Sequence, residues 1–159
     1  MQMLGTTGRG RRRQRGVTLI ELMVVMVVVA ILGSIALASY RAYVQRAGRA
    51  EAKAALLQQQ NNLERCFTRF NRYDPPAGNC LTADALQGAG LPSGDVGRYL
   101  VTGVFNAAPF GPGNPPYVLT ATPQAGGGMT DDAECLAFTL TATGQRGVTG
   151  TGTVQNCWR

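Results

Sequence analysis

Four cysteines, one carboxylate inside a long apolar run and a complete absence of histidine set the chemistry open to this chain of 159 residues. Without imidazole there is no Ser-His-Asp triad, no Cys-His pair and no His-containing metal site. Cys66, Cys80, Cys135 and Cys157 are even in number and no two form a CxxC pair. Zinc is therefore disfavoured and two disulfides are expected, with three pairings open. Serine is scarce, and no pair of acids marks a general acid-base site. Gly126-Gly127-Gly128 is followed by neither Lys-Ser/Thr nor a helix, which excludes a phosphate loop. No catalytic residue, metal or cofactor is expected, so the chain reads as a non-enzyme. One cluster could contact nucleic acid: Arg65, Arg69 and Arg72 interleave with Phe67, Phe70 and Tyr73. The competing reading places Phe67 and Phe70 in the core and leaves the arginines solvated. It is the preferred one, because an amphipathic helix needs those aromatics, and DNA contact stands as the alternative.

The isolated carboxylate is Glu21, the only ionisable group in residues 17–38. As a helix that run reaches roughly 33 Å, enough to cross a bilayer's hydrocarbon. Arg9, Arg11, Arg12, Arg13 and Arg15 precede it without an acid, which puts the N-terminus in the cytoplasm. They also account for most of the formal charge of +6; past residue 16, ten basic side chains face nine acidic ones. The hint of a nucleic-acid partner weakens accordingly. A secretory signal peptide cut after Ala38 competes, although its apolar core would be unusually long. Neither it nor a plain anchor explains Glu21, since a carboxylate in hydrocarbon needs a partner.

Gly16-Val17-Thr18-Leu19-Ile20-Glu21 resembles the processing signal of type IV prepilins: a basic leader, a Gly, then an apolar segment with Glu fifth. The resemblance extends through Tyr40. It implies cleavage after Gly16 by a prepilin peptidase, N-methylation of Val17, and a pairing of Glu21 with the N-terminal ammonium of a neighbouring subunit. Two positions depart from the usual pattern. Val17 stands where Phe is common and Ala38 where Pro is frequent, which leaves Gly33 and Ser34 as the sites of any kink.

Residues 40–72 continue with helical period, Val44, Ala47, Ala54, Leu57, Leu63, Phe67 and Phe70 forming an apolar stripe. One helix from Val17 to about Asn71 would measure roughly 80 Å, so its first half must be covered by membrane or by other copies. Past Asp74-Pro75-Pro76 the composition turns to Gly, Pro, Thr and Ala. Strands are expected at Tyr99–Phe105, Tyr117–Pro123 and 135–143, with a weaker one at 151–158, joined by Gly/Pro-rich links at 106–116, 124–130 and 144–150. The expected fold is α+β: a long N-terminal α-helix, apolar then amphipathic, with about four antiparallel strands burying Leu57, Leu63 and Phe67. The expected divisions are a cleaved leader at 1–16, an apolar membrane and filament-core helix at 17–40, its amphipathic half at 41–72, an αβ-loop at 73–98, and the sheet with the disulfide-bonded region at 99–159.

Of the three pairings, Cys66–Cys80 closes the turn after the helix and Cys135–Cys157 ties a strand to the C-terminus. Type IV pilins commonly have such a C-terminal bridged loop, so the resemblance supports this choice. The tail, Ala133-Glu134-Cys135 through Thr143-Gly144 to Cys157-Trp158-Arg159, is similar to the PilE group of minor pilins. The resemblance implies a structural subunit of a type IV pilus, held in the inner membrane with its N-terminus cytoplasmic and then incorporated into the extracellular filament. Twitching motility, adhesion and DNA uptake are the processes implied. The partners implied are the prepilin peptidase, other pilins through their N-terminal helices, the inner-membrane assembly platform and the membrane itself. A pseudopilin of a type II secretion system and a secreted binding module are the alternatives.

Overall fold

The computed structural model describes residues 16–73, 78–111 and 113–159, and they fall into two units, one up to Tyr40 and one from Arg41 onward. The leader arginines and Asp74-Pro75-Pro76 lie outside the described residues. Helix α1, Leu19–Phe70, contributes to both units. In the first, every large apolar side chain from Val17 to Leu37 is exposed, and the helix is long and apolar enough to cross a membrane. The Ser34 hydroxyl donates to the Ile31 carbonyl at 2.7 Å, a back-bond tolerated without interruption of the helix.

The second unit stacks the later part of α1 on a five-stranded antiparallel sheet. Helix α2 spans Leu81–Gln87 and precedes strands β1 (Leu91–Pro92), β2 (Tyr99–Phe105), β3 (Tyr117–Pro123), β4 (Ala137–Thr141) and β5 (Arg146–Thr149), with a short helix α3 at Val154–Cys157. The strands follow one another in space in chain order, as short connections favour. Alternation decides the buried face: Tyr99 and Val101 from β2, Tyr117, Leu119 and Ala121 from β3, and Phe138 and Leu140 from β4 turn inward.

The helix face against them is only in part the expected one, Leu63 being buried as expected. Gly48, Ala52, Ala55, Leu56, Gln59 and Leu63 are buried, whereas Ala54 is exposed, Leu57 is 43% exposed and Phe67 is 37% exposed. Small residues at 48, 52 and 55 make up half of this buried set, and a stripe chosen for bulk passes over them. Helix α1 stops at Asn71, whose φ of 54° is left-handed and whose N–H reaches the Phe67 carbonyl at 2.7 Å.

Three further departures concern glycine-rich or polar stretches. α2 and β1 lie in the segment read as a loop, the strand expected at 151–158 is a helical turn, and β5 occupies the link read at 144–150. The turn at α3 is capped by the Thr153 hydroxyl, which accepts from the Asn156 N–H at 3.3 Å. Gly147 in β5 faces Thr139 so closely that the threonine hydroxyl occupies the place of a side chain.

The connection from β3 to β4 is fastened to α1. Arg49 grips the buried Asp132 with two bonds of 2.6 and 2.7 Å and reaches Glu134 at 3.3 Å. Met129 is fully buried against Gly48. Glu51 similarly holds Arg98 and Ser93, both at 2.7 Å. Disulfides join Cys66 to Cys80 and Cys135 to Cys157.

Candidate functional site

The N-terminal residues present one set of groups. Gly16 has no neighbour within 4 Å of where a side chain would start, and Val17 is 72% exposed. The Thr18 hydroxyl accepts the backbone N–H of Glu21 at 3.3 Å, capping α1. Thr18-x-x-Glu21 is the sequence pattern of a capping box, a signal that spacing alone could have found. Glu21 is exposed among exposed apolar side chains, so its carboxylate and its flank both lack cover within the described residues.

The C-terminal end of α1 presents another. Arg65 and Arg69 lie four residues apart on one face of α1, and Arg72 follows just beyond the helix end. The Phe67 ring stacks on Tyr73 at 4.6 Å, and Tyr73 meets Tyr117 edge-on at 4.9 Å. Both tyrosine hydroxyls donate to Glu64, at 3.2 Å from Tyr73 and 3.3 Å from Tyr117. Burial first, and then the Glu64 charge, push both hydroxyl pKa values up, so they remain neutral donors. Phe70 is half-buried with the Arg69 guanidinium 5.9 Å from its ring centre.

Beside this end lies an open groove of about 520 Å³ lined by Arg72, Phe105, Asn106, Ala107, Ala108 and Phe110. The β2–β3 loop that forms its wall is braced by two asparagines. Asn106 donates to the Pro115 carbonyl at 2.7 Å, and Asn114 to those of Ala107 and Pro109 at 2.9 Å. Phe110 is 54% exposed on this loop and lines the same groove as Arg72.

The structure thus unites Arg72 with Phe110, a residue sequence reasoning passed over because a lone Phe in a Gly/Pro-rich link carries no periodicity. It also corrects the placement of Phe67 in the core: stacking on Tyr73 keeps that ring at the surface. The near balance of charge past residue 16 conceals a segregated surface. Glu51, Asp132 and Glu64 are engaged inside the fold, whereas Arg65 and Arg69 make no ion pair among the described residues. Among those residues no group of His, Cys, Asp or Glu could hold a metal ion.

Comparison with known families gives two matches. Residues 11–37 match the prokaryotic N-terminal methylation motif. Residues 38–139 match the family described as "Type IV minor pilin ComP, DNA uptake sequence receptor". The narrower PilE grouping expected from the tail is not what the second match names.

Proposed function

The chain belongs to the type IV minor pilin ComP family, and from that premise we propose that it is a DNA-uptake pilin whose DNA-contacting surface is the C-terminal end of α1 with the β2–β3 loop. As a type IV minor pilin it is anchored in the inner membrane through its apolar helix and later incorporated into the pilus. Its role is structural. The leader ends at Gly16, the peptidase exposes Val17 for N-methylation, and Glu21 receives a neighbouring N-terminus. The divisions at 17–40, 41–72, 73–98 and 99–159 are membrane and filament-core helix, amphipathic helix, αβ-loop and head.

The observation that carries the DNA assignment is the clustering of Arg65, Arg69 and Arg72 at the end of α1, with Arg72 lining the groove on which Phe110 is exposed. Guanidinium groups neutralise phosphate and release counterions, and an exposed ring offers a base a stacking face. The family's description as a DNA uptake sequence receptor supports the same reading. Arg65→Gln/Arg69→Gln should lower the salt dependence of duplex binding by about 1.8 in log-log slope, and Phe110→Ala should weaken binding roughly tenfold. Fluorescence anisotropy of labelled DNA with the full chain in neutral detergent reads both. Wild-type binding by both variants would remove this surface from consideration.

A further inference from the structure

Asn71 is the one non-glycine residue with a positive φ among the described residues. Its side chain is exposed, so packing does not select asparagine there. The backbone does: at a φ of 54° asparagine is tolerated better than most residues that carry a side chain. The Asn71 N–H closes the turn on the Phe67 carbonyl at 2.7 Å.

The next two residues show how sharply the chain reverses. In a continued helix Tyr73 would lie roughly 9 Å along the axis beyond Phe67 and roughly 14 Å beyond Glu64. Instead its ring stacks on Phe67 at 4.6 Å and its hydroxyl reaches Glu64 at 3.2 Å. Tyr117 of β3 meets Tyr73 edge-on at 4.9 Å and donates to the same carboxylate at 3.3 Å, which ties the returning chain to both α1 and the sheet. Arg72 stands between the turn and this clasp. A continued helix would place it three residues after Arg69, on the face of Arg65 and Arg69. The reversal takes it off the helix, and it lines the groove with Phe105 and Phe110.

We infer that Asn71 is a positioning residue for DNA. Its left-handed turn seats the Arg72 guanidinium on the groove, where it meets a phosphate beside the exposed ring rather than in line with Arg65 and Arg69. This role rests on the DNA reading of the surface, and it acts through Arg72 without contact between Asn71 and the nucleic acid.

Fluorescence anisotropy of a labelled DNA duplex with the full chain in neutral detergent tests it, with near-ultraviolet circular dichroism as the check of fold. Arg72→Gln should weaken binding about fivefold at about 0.15 M salt and lower the log-log salt slope by about 0.9, the share of one phosphate contact. Asn71→Gly keeps the turn and should bind as the wild type. Affinity should fall through Asn71→Ala to Asn71→Val, by about fivefold at valine, as the left-handed region becomes costlier. Asn71→Ala carries the test if valine disturbs the fold. In an Arg72→Gln background neither substitution should weaken binding further. Additive losses in that background, or a loss in Asn71→Gly equal to that in Asn71→Val, would overturn the positioning role and leave the DNA surface standing. So would wild-type binding by Arg72→Gln or by both Asn71→Ala and Asn71→Val while Arg65→Gln/Arg69→Gln is weakened. Wild-type binding by Arg72→Gln, Arg65→Gln/Arg69→Gln and Phe110→Ala alike would overturn the DNA reading, and the role of Asn71 with it.

Discussion

Met129 packs its thioether onto Gly48, filling the volume that a side chain at position 48 would occupy. An interior glycine ordinarily weakens a helix by about 1 kcal/mol relative to alanine. Here that cost accompanies a fully buried methionine that anchors the β3–β4 connection to α1.

Gly48→Ala should therefore destabilise the second unit by about 1–2 kcal/mol, against the direction that helix propensity alone dictates. Chemical denaturation followed by near-ultraviolet circular dichroism reads it. A Met129→Ala partner variant should abolish the penalty, and purely additive effects would sink the packing explanation.

Asp132 is 2% exposed and takes both bonds of the Arg49 fork, while also accepting the Cys135 N–H at 3.3 Å. Asp132→Ala leaves a half-buried guanidinium with only the exposed Glu134, and should cost about 3 kcal/mol. The accompanying Arg49→Ala/Asp132→Ala variant should lose less than the two single losses summed.

Tyr99 gives a pH prediction with a definite sign. Burial, reinforced by Asp132, raises its hydroxyl pKa from 10.0 to about 12. The folded state holds this proton more tightly than the unfolded chain, so stability is intact below pH 10 and falls as pH rises toward 12. Tyr117, also raised, acts in the same direction. The Tyr99 hydroxyl has no hydrogen-bond partner among the described residues. Tyr99→Phe should hence be neutral or stabilising by about 1 kcal/mol at neutral pH, and should flatten the alkaline loss. Thermal melts across the alkaline range check both; a clear destabilisation at neutral pH would reveal a partner.

For the N-terminus, Glu21→Ala should leave cleavage after Gly16 and N-methylation of Val17 intact but exclude the subunit from filaments. Mass spectrometry of the mature N-terminus and immunogold labelling of sheared pili separate the two steps. A mature chain beginning at Ser39 would point to an ordinary signal peptide, and normal incorporation of the variant would reject the pairing. Thr18→Ala, which removes only the cap, should cost α1 about 1 kcal/mol without that exclusion.

Most of the architecture was legible along the chain because its signals are local. A long charge-poor run behind a block of arginines reads as a membrane-crossing helix, and the β-branched and aromatic alternation of Tyr99–Phe105 and Tyr117–Pro123 reads as strands at their observed bounds. What stayed hidden depends on partners distant in sequence. Gly147 lies in a stretch that reads as a link until Thr139 is opposite it, and nothing in its own helix accounts for Gly48 until Met129 is packed on it.

The candidate surfaces divide the same way. Composition alone determined that the chain has no histidine chemistry, and residue order alone set a basic leader and an isolated Glu21 before the apolar helix. Which cations remain available was decided only by the tertiary structure, which pairs Arg49 with Asp132 and Arg98 with Glu51 and leaves Arg65 and Arg69 outside. Net charge sums over a chain, whereas a binding surface depends on which charges the fold has already neutralised.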